Sequence, residues 1–169
     1  HDGGVPCYGV EPSTGPARVA RDLGIDMVEE FFGASLAREL ASTRPADLIV
    51  ANNVLAHVPD VGDFLDGLRI LLKPDGVITM EFPHLMELVQ YNQFDTIYHE
   101  HLFYYSLTAV QHMAQARGLS LFDVERLSTH GGSLRVWLQR SAGCYAVSER
   151  VPDLLRTEQD RGMESLDYY

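Results

Sequence analysis

The stretch "ADLIVANNVLAHVPDVGDFLDGLRILLKPDGVITMEFPH", residues 46–84, decides the fold. It opens with an apolar run, Ala46 to Asn53, flanked by polar residues, the pattern of a strand buried on both faces. Val61, Phe64, Leu65, Leu68 and Leu72 then fall on one helical stripe that Pro74 and Gly76 close. "GVITMEF" follows as the next strand. Strand, helix and strand with short connections predict parallel pairing through a right-handed crossover.

Upstream the same alternation holds. Residues 6 to 10 read as a short strand closing on Glu11. "STGPARVARDLGI" carries Ala17, Ala20 and Leu23 at helical spacing, with Ser13 or Thr14 to cap it and Gly24 to end it. Residues 26 to 31 make a second short strand and 34 to 42 a short helix. Downstream the rhythm changes: residues 84 to 105 are aromatic, histidine-rich and long for a connection, and such segments are disproportionately functional. A helix over 106–117 follows, capped by Ser106 and ended by Gly118. "LSLFDVERL" and "GSLRVWLQR" then face each other across "STHGG" as an antiparallel pair. The polar tail from about residue 145 is helical in pattern.

Composition narrows the class. A chain of 169 residues, 46% hydrophobic, encloses one core as a globular domain. With 13 basic against 24 acidic residues the net charge is −11, which opposes nonspecific binding to nucleic acid. Any anionic ligand is left to local arginines, backbone N–H groups or helix N-termini. Cys7 and Cys144 lie far apart without metal-ligand spacing and read as reduced thiols. No apolar run is long enough for a membrane span and no secretory signal opens the chain, so a cytoplasmic location is expected. Position 1 is His1 rather than Met, in what reads as a loop running into "CYGVEP", so an internal fragment is expected.

In an open parallel sheet, ligands collect beyond the carboxyl ends of the strands. Three polar clusters fall there: Glu11, then Asn52 and Asn53 with His57, then Glu81 with His84. An acidic residue ending such a strand often accepts ribose hydroxyls; a solvated loop carboxylate is the alternative. "QFDTIYHEHLFYY", residues 93–105, sets Tyr98, His99, Glu100 and His101 in a row. If extended, Tyr98 and Glu100 share one face and His99 and His101 the other, so convergence needs a turn. His99 and His101 on one strand face, completed by His57 or His84, would also suit a metal ion and a metal-dependent hydrolase. "THGGS", residues 129–133, is either a tight turn or a set of backbone N–H groups that meet a substrate with His130 and Ser133. Arg135 either meets a phosphate or, as is commoner at a strand start, points to solvent. His112 reads as structural.

"YGVEPS", "ADLIVANNVLAHVPDV", "LLKPDGVITMEFPHL", "QFDTIYHEHLFYYSL" and "THGGSLRVW", in order from about residue 8 to 140, together resemble the sugar C-methyltransferases that use S-adenosylmethionine on thymidine-diphosphate-linked keto-deoxysugars. The resemblance implies an α/β fold, the class I methyltransferase (Rossmann-like) sheet with a C-terminal antiparallel hairpin. Here the first strand, the glycine-rich loop and a zinc-binding cysteine domain would all precede His1. Residues 1–143 are then a partial methyltransferase domain, and 144–169 the start of a truncated C-terminal domain or a linker helix. The absent strand leaves a gap between the strands ending at Glu11 and Asn52, so weak donor binding by this piece alone is expected. The resemblance places Glu11 on the donor ribose, with Asn52 and Asn53 lining the donor and sugar pocket. Asn53, His84, His130 and Ser133 face the nucleotide-linked deoxysugar, and His57, Tyr98, Glu100 and His101 surround the reacting carbon. No metal is assigned to this chain, and the oligomeric state stays open.

The chemistry suits these residue types. Carbon becomes a nucleophile when the proton beside a ketone is removed, and histidine is a base whose ordinary pKa lies near working pH. His101 is the expected base. Tyr98, His57 or a protonated His99 would meet the enolate oxygen, and Glu100 would orient an imidazole. The non-enzymatic alternative, a methyltransferase-like partner-binding module, predicts loss of such residues, yet Tyr98, Glu100 and His101 are all present.

Overall fold

The computed structural model describes residues 3–169; residues 1 and 2, where the opening loop was expected, lie outside the described residues. Chain order is β1 (Tyr8–Val10), α1 (Thr14–Asp22), β2 (Asp26–Val28), α2 (Ala34–Thr43), β3 (Ala46–Asn52), α3 (Val61–Leu71) and β4 (Leu72–Pro83). Then come α4 (Leu85–Gln90), α5 (Leu107–Ala116), β5 (Leu119–Leu127), β6 (Ser133–Arg140) and α6 (Arg150–Asp160).

The decisive stretch forms the expected strand, helix and parallel strand, but the helix ends before Leu72, and Pro74 and Gly76, expected to close it, lie within β4. Helix α3 is the crossover between β3 and β4, which pair in parallel with Ile49 opposite Ile78 and Asn52 opposite Glu81. Asp60 caps α3 by accepting the Asp63 N–H at 2.9 Å. The helix stops at Leu71 because Lys73, preceding Pro74, is pushed out of the helical region. Leu72 is therefore buried as a strand residue, and Leu71 takes its place on the helical stripe.

Two sheets result: β1 beside β2, and a second in the order β3-β4-β6-β5. The hairpin of β5 and β6 inserts its second strand against β4, antiparallel, with Glu81 opposite Arg135. Among the described residues no ladder joins β1 to β3, so the expected gap falls where the two sheets part. Side chains bridge it instead: Leu36, Ala37 and Leu40 of α2 pack with Tyr8, Val10 and Val28 on one side and Ile49 on the other.

The main core lies on one face of the larger sheet. Ile78, Met80 and Phe82 of β4 and Leu134, Val136 and Leu138 of β6 are completely buried there. They face apolar residues of α3, α5 and α6, and each such side chain contributes about 1.5–3 kcal/mol. The expectation that β3 is buried on both faces is corrected: Leu48 and Val50 are 58% and 59% exposed. The covering helices lie on the Ile49 side alone, so an apolar run here meant one packed face and one open one. Helix α1 is likewise thinly covered, with Ala17 buried but Leu23 67% exposed and no side-chain cap from Ser13.

Helix α5 carries its expected cap, Ser106 Oγ accepting the Ala109 N–H at 3.1 Å. The hairpin turn runs through three left-handed residues, His130, Gly131 and Gly132. At Gly132 a Cβ would sit 2.7 Å from Glu87 Cγ, so glycine is required both by conformation and by space. Cys7 and Cys144 are exposed free thiols. Among the described residues no helix is long and apolar enough to cross a membrane.

Candidate active site

Strand β3 delivers its last residues to a tight exit. Asn53 takes a left-handed backbone, φ 55°, which asparagine tolerates better than most residues. Its N–H donates to the Glu81 carbonyl at 2.7 Å. A single 3-10 turn, Leu55–His57, follows, with Leu55 and Ala56 buried and His57 exposed above them.

The second contributor is segment 84–105. Residues 98 to 101 form the turn that the sequence reading required for convergence, closed by the His101 N–H on the Tyr98 carbonyl at 3.0 Å. The turn folds the Tyr98 ring back on the His101 ring, centroids 4.2 Å apart, and sets the Tyr98 hydroxyl 3.1 Å from His101 Nε2. His101 Nδ1 lies 2.9 Å from the Thr96 carbonyl. A carbonyl only accepts, so Nδ1 carries the proton and Nε2 presents its lone pair, which receives the Tyr98 O–H. The Tyr104 hydroxyl donates to the same Thr96 oxygen at 3.4 Å.

His57 joins this group from the other loop. Its Nδ1 lies 2.8 Å from the Glu100 carbonyl and its ring centroid 4.9 Å from that of His101. By the same reasoning Nδ1 donates and Nε2 accepts, so a neutral His57 has no N–H left for an enolate oxygen. The two loops are laced once more by the Leu102 N–H on the Ala56 carbonyl at 2.9 Å. His101 also lines a small cavity with Ala56, Phe82, Thr96 and Tyr105.

His57, Tyr98 and His101 are thus brought together; the other expected residues are placed differently. Glu100 contributes its carbonyl, while its side chain is exposed at the turn beside an equally exposed His99. The strand face that His99 and His101 would share for a metal does not form. Among the described residues no group of three histidine, cysteine or acidic side chains is arranged to hold a metal ion. Glu11 follows β1 and accepts the Ser13 N–H on Oε1 at 2.8 Å. Asn52 and Asn53 are exposed at the end of β3.

His84, expected at the substrate, is 1% exposed and lies 2.7 Å from Glu158 of α6. Ser133 is equally buried and donates to the Thr129 carbonyl at 3.0 Å, which spends its hydroxyl on the turn. His130 is exposed on that turn, and the turn is tied to segment 84–105 by Gln93 Nε2, which donates to the Gly131 carbonyl at 2.8 Å. An open groove of about 440 Å³ runs beside it, lined by His84, Glu87, Arg126, Gly131 and Ser133, apart from His101. Arg135 does not point to solvent: it donates to Glu81 at 2.9 Å and to Glu125 at 3.4 Å. His112 is exposed on α5.

Three participants had no sequence signal. The Thr96 carbonyl is backbone, which residue type does not reveal. Tyr104 was one aromatic among several. Glu158 is a single acidic residue on a polar helix, 74 positions from its histidine. Burial raises the Glu158 carboxyl, but hydrogen bonds from His84, Thr108 and Leu107 together outweigh it and hold the group below its ordinary value of 4.5.

Comparison with known proteins shows the family of the chain. The family description "Methyltransferase domain" matches residues 2–124. The chain belongs to the methyltransferase domain family. A second description, "C-methyltransferase C-terminal domain", matches residues 128–169, so the two matches meet within the β5–β6 hairpin. The C-methyltransferase NovU of Streptomyces niveus is 36% identical over 162 residues, which is 95% of this chain and 39% of that protein. The chain therefore spans about two-fifths of that curated relative's length. Among solved structures, the magnesium protoporphyrin IX methyltransferase of Synechocystis PCC 6803 has a TM-score of 0.62 at 14% identity, over 83% of this chain and 66% of that one. A possible histamine N-methyltransferase of Thermotoga maritima has a TM-score of 0.59 at 15% identity, over 78% and 72%. At these identities the likeness concerns the fold, which is the α/β, Rossmann-like fold of class I methyltransferases.

Proposed function

We propose that this chain is the catalytic part of an S-adenosylmethionine-dependent C-methyltransferase that acts beside the ketone of a nucleotide-linked keto-deoxysugar, with His101 as the base. The single observation that carries the reading is the placement of the His101 ring: Nδ1 lies 2.9 Å from the Thr96 carbonyl, which assigns it the proton of the neutral ring and leaves Nε2 as the proton acceptor next to a phenol. The family match, the likeness to the NovU C-methyltransferase and the Tyr98–His101 string support the acceptor class. The reaction would take place in the cytoplasm, where nucleotide sugars would be met.

The chemistry asks three things of these residues. His101 Nε2 takes the proton beside the ketone while Thr96 O stabilises the Nδ1–H of the imidazolium that forms. Tyr98 has by then turned its hydroxyl hydrogen from Nε2 to the ketone oxygen, which frees the Nε2 lone pair for that proton and sets a donor where the enolate charge develops. His57, held by the Glu100 carbonyl, buttresses the His101 ring, and Glu100 acts through that carbonyl. S-adenosylmethionine, when bound, supplies an electrophilic methyl group to the carbon so activated. Glu11, whose Oε2 receives no hydrogen bond among the described residues, fits ribose hydroxyls, and Asn52 and Asn53 fit the rest of the adenosine. His130 borders the sugar side.

The test uses the full-length protein with a keto-sugar nucleotide in heavy water. Deuterium enters beside the carbonyl with the native protein and fails to enter with His101→Ala. Equal exchange in the two proteins refutes the base assignment.

A further inference from the structure

Segment 84–105, which carries Tyr98 and His101, leaves and rejoins the core at one place. His84 and Tyr105 form a parallel bridge, and the Leu85 N–H donates to the Tyr105 carbonyl at 2.9 Å. Just beyond Tyr105, α5 begins. One side chain from α6 grips both feet of this excursion. Glu158 Oε1 lies 2.7 Å from His84 Nε2 and accepts the Leu107 N–H at 2.7 Å. Glu158 Oε2 accepts the Thr108 N–H at 2.9 Å and the Thr108 hydroxyl at 2.6 Å.

Glu158 and His84 are each 1% exposed. A carboxylate so deep is tolerated only when its lone pairs are met, and here four donors meet two oxygens. Since the carboxylate only accepts, His84 Nε2 carries a proton, and His84 Nδ1 is buried with no hydrogen-bond partner among the described residues. The site thus leaves a polar atom unsatisfied to keep the Glu158 contact, which an apolar residue at position 84 would avoid. Nor can glutamine stand in for Glu158, because its NH₂ would face a donor at whichever oxygen it replaced. All four donors belong to the feet of the loop, none to the sheet.

We propose that Glu158 is a positioning residue for catalysis: through His84 on one foot and the first turn of α5 on the other, it fixes the span of segment 84–105 and so the aim of Tyr98 and His101. The inference rests on the reading of His101 as the base. It also gives α6, within the region matched as the C-methyltransferase C-terminal domain, a direct hold on a loop matched by the other description.

The experiment compares the full-length protein with its Glu158→Gln and Thr108→Val variants. Expected is a native circular dichroism spectrum, a little-changed KM, and a kcat about 10²-fold lower for Glu158→Gln, the scale of a misaligned reacting group. Thr108→Val, which removes a single donor, shows a smaller loss in the same direction and decides the matter if Glu158→Gln fails to fold. Amide hydrogen exchange, read by mass spectrometry, quickens across residues 93–105 and stays unchanged in β4 and β6. Folded variants with native kcat, or a fall in kcat that merely follows the unfolded fraction, overturn the proposal. Turnover surviving in His101→Ala would remove the base assignment instead, and the amide-exchange contrast would still judge the clamp.

Discussion

The Tyr98 hydroxyl stands 3.1 Å from His101 Nε2, across a turn that their own backbones close at 3.0 Å. Tyr98→Phe keeps the ring and the turn and deletes one hydrogen. With the proposed donor to the enolate oxygen gone, kcat in the full-length protein is expected to fall about 10²-fold with KM little altered. Steady-state kinetics check this, and an unchanged kcat assigns that hydrogen bond to another group.

Glu158 makes the fold sensitive to acid. Its folded-state pKa lies below the ordinary 4.5 that the unfolded chain shows. Its contribution is therefore present above pH 4.5 and is lost as pH falls through the lower folded value. Urea midpoints measured across this range drop for the native chain, and Glu158→Gln, already without that contribution, flattens the acid limb.

Tyr105 acts at the other end of the scale. Burial pushes its phenol from 10 up to about 12. Below pH 10 both states are protonated; from there towards 12 the unfolded phenol ionises while the folded one resists, so stability falls by roughly 2–3 kcal/mol. Tyr105→Phe should remove that part of the alkaline slope, since it deletes the ionisable hydroxyl, and at little cost, because the hydroxyl's hydrogen bond to the Leu55 carbonyl is long at 3.4 Å. Melting curves between pH 9 and 12 report it.

Two glycines should respond in opposite directions. A Cβ on Gly67 of α3 would come 2.8 Å from the backbone carbon of Gly33, at the start of α2. Gly67→Ala therefore costs about 1–3 kcal/mol through overpacking. Gly15 in α1 has nothing within 4 Å of its built Cβ, and Gly15→Ala gains about 0.4–1 kcal/mol by restricting the unfolded chain. Denaturant titration of both variants distinguishes them.

Element types were legible because periodicity and punctuation agreed: the α3 stripe, the Ser106 cap and the glycine turn of the hairpin all lie where local chemistry requires them. The open face of β3 was not legible, since Leu48 and Val50 are as apolar as Ile49 and only the position of the helices tells them apart. At the site, residue identity pointed to Tyr98 and His101, but their meeting depends on a turn with no proline or glycine to announce it. His84 and Ser133 were chemically apt for a ligand, yet burial gave them partners within the chain. What holds the His101 tautomer is a main-chain oxygen, and what holds the loop is a distant glutamate; neither leaves a mark in residue spacing.

The parting of the two sheets has a mechanical consequence. Hydrogen-bonded ladders resist sliding, whereas the side-chain bridge of Leu36, Ala37 and Leu40 can be pried apart a contact at a time. In this chain taken by itself, proteolysis and amide exchange should therefore begin at the corner formed by β1, α1 and β2 and reach the β3-β4-β6-β5 slab later. A small molecule held at once by Glu11 and Asn53 would act as a staple across that seam, making the two pieces melt as one.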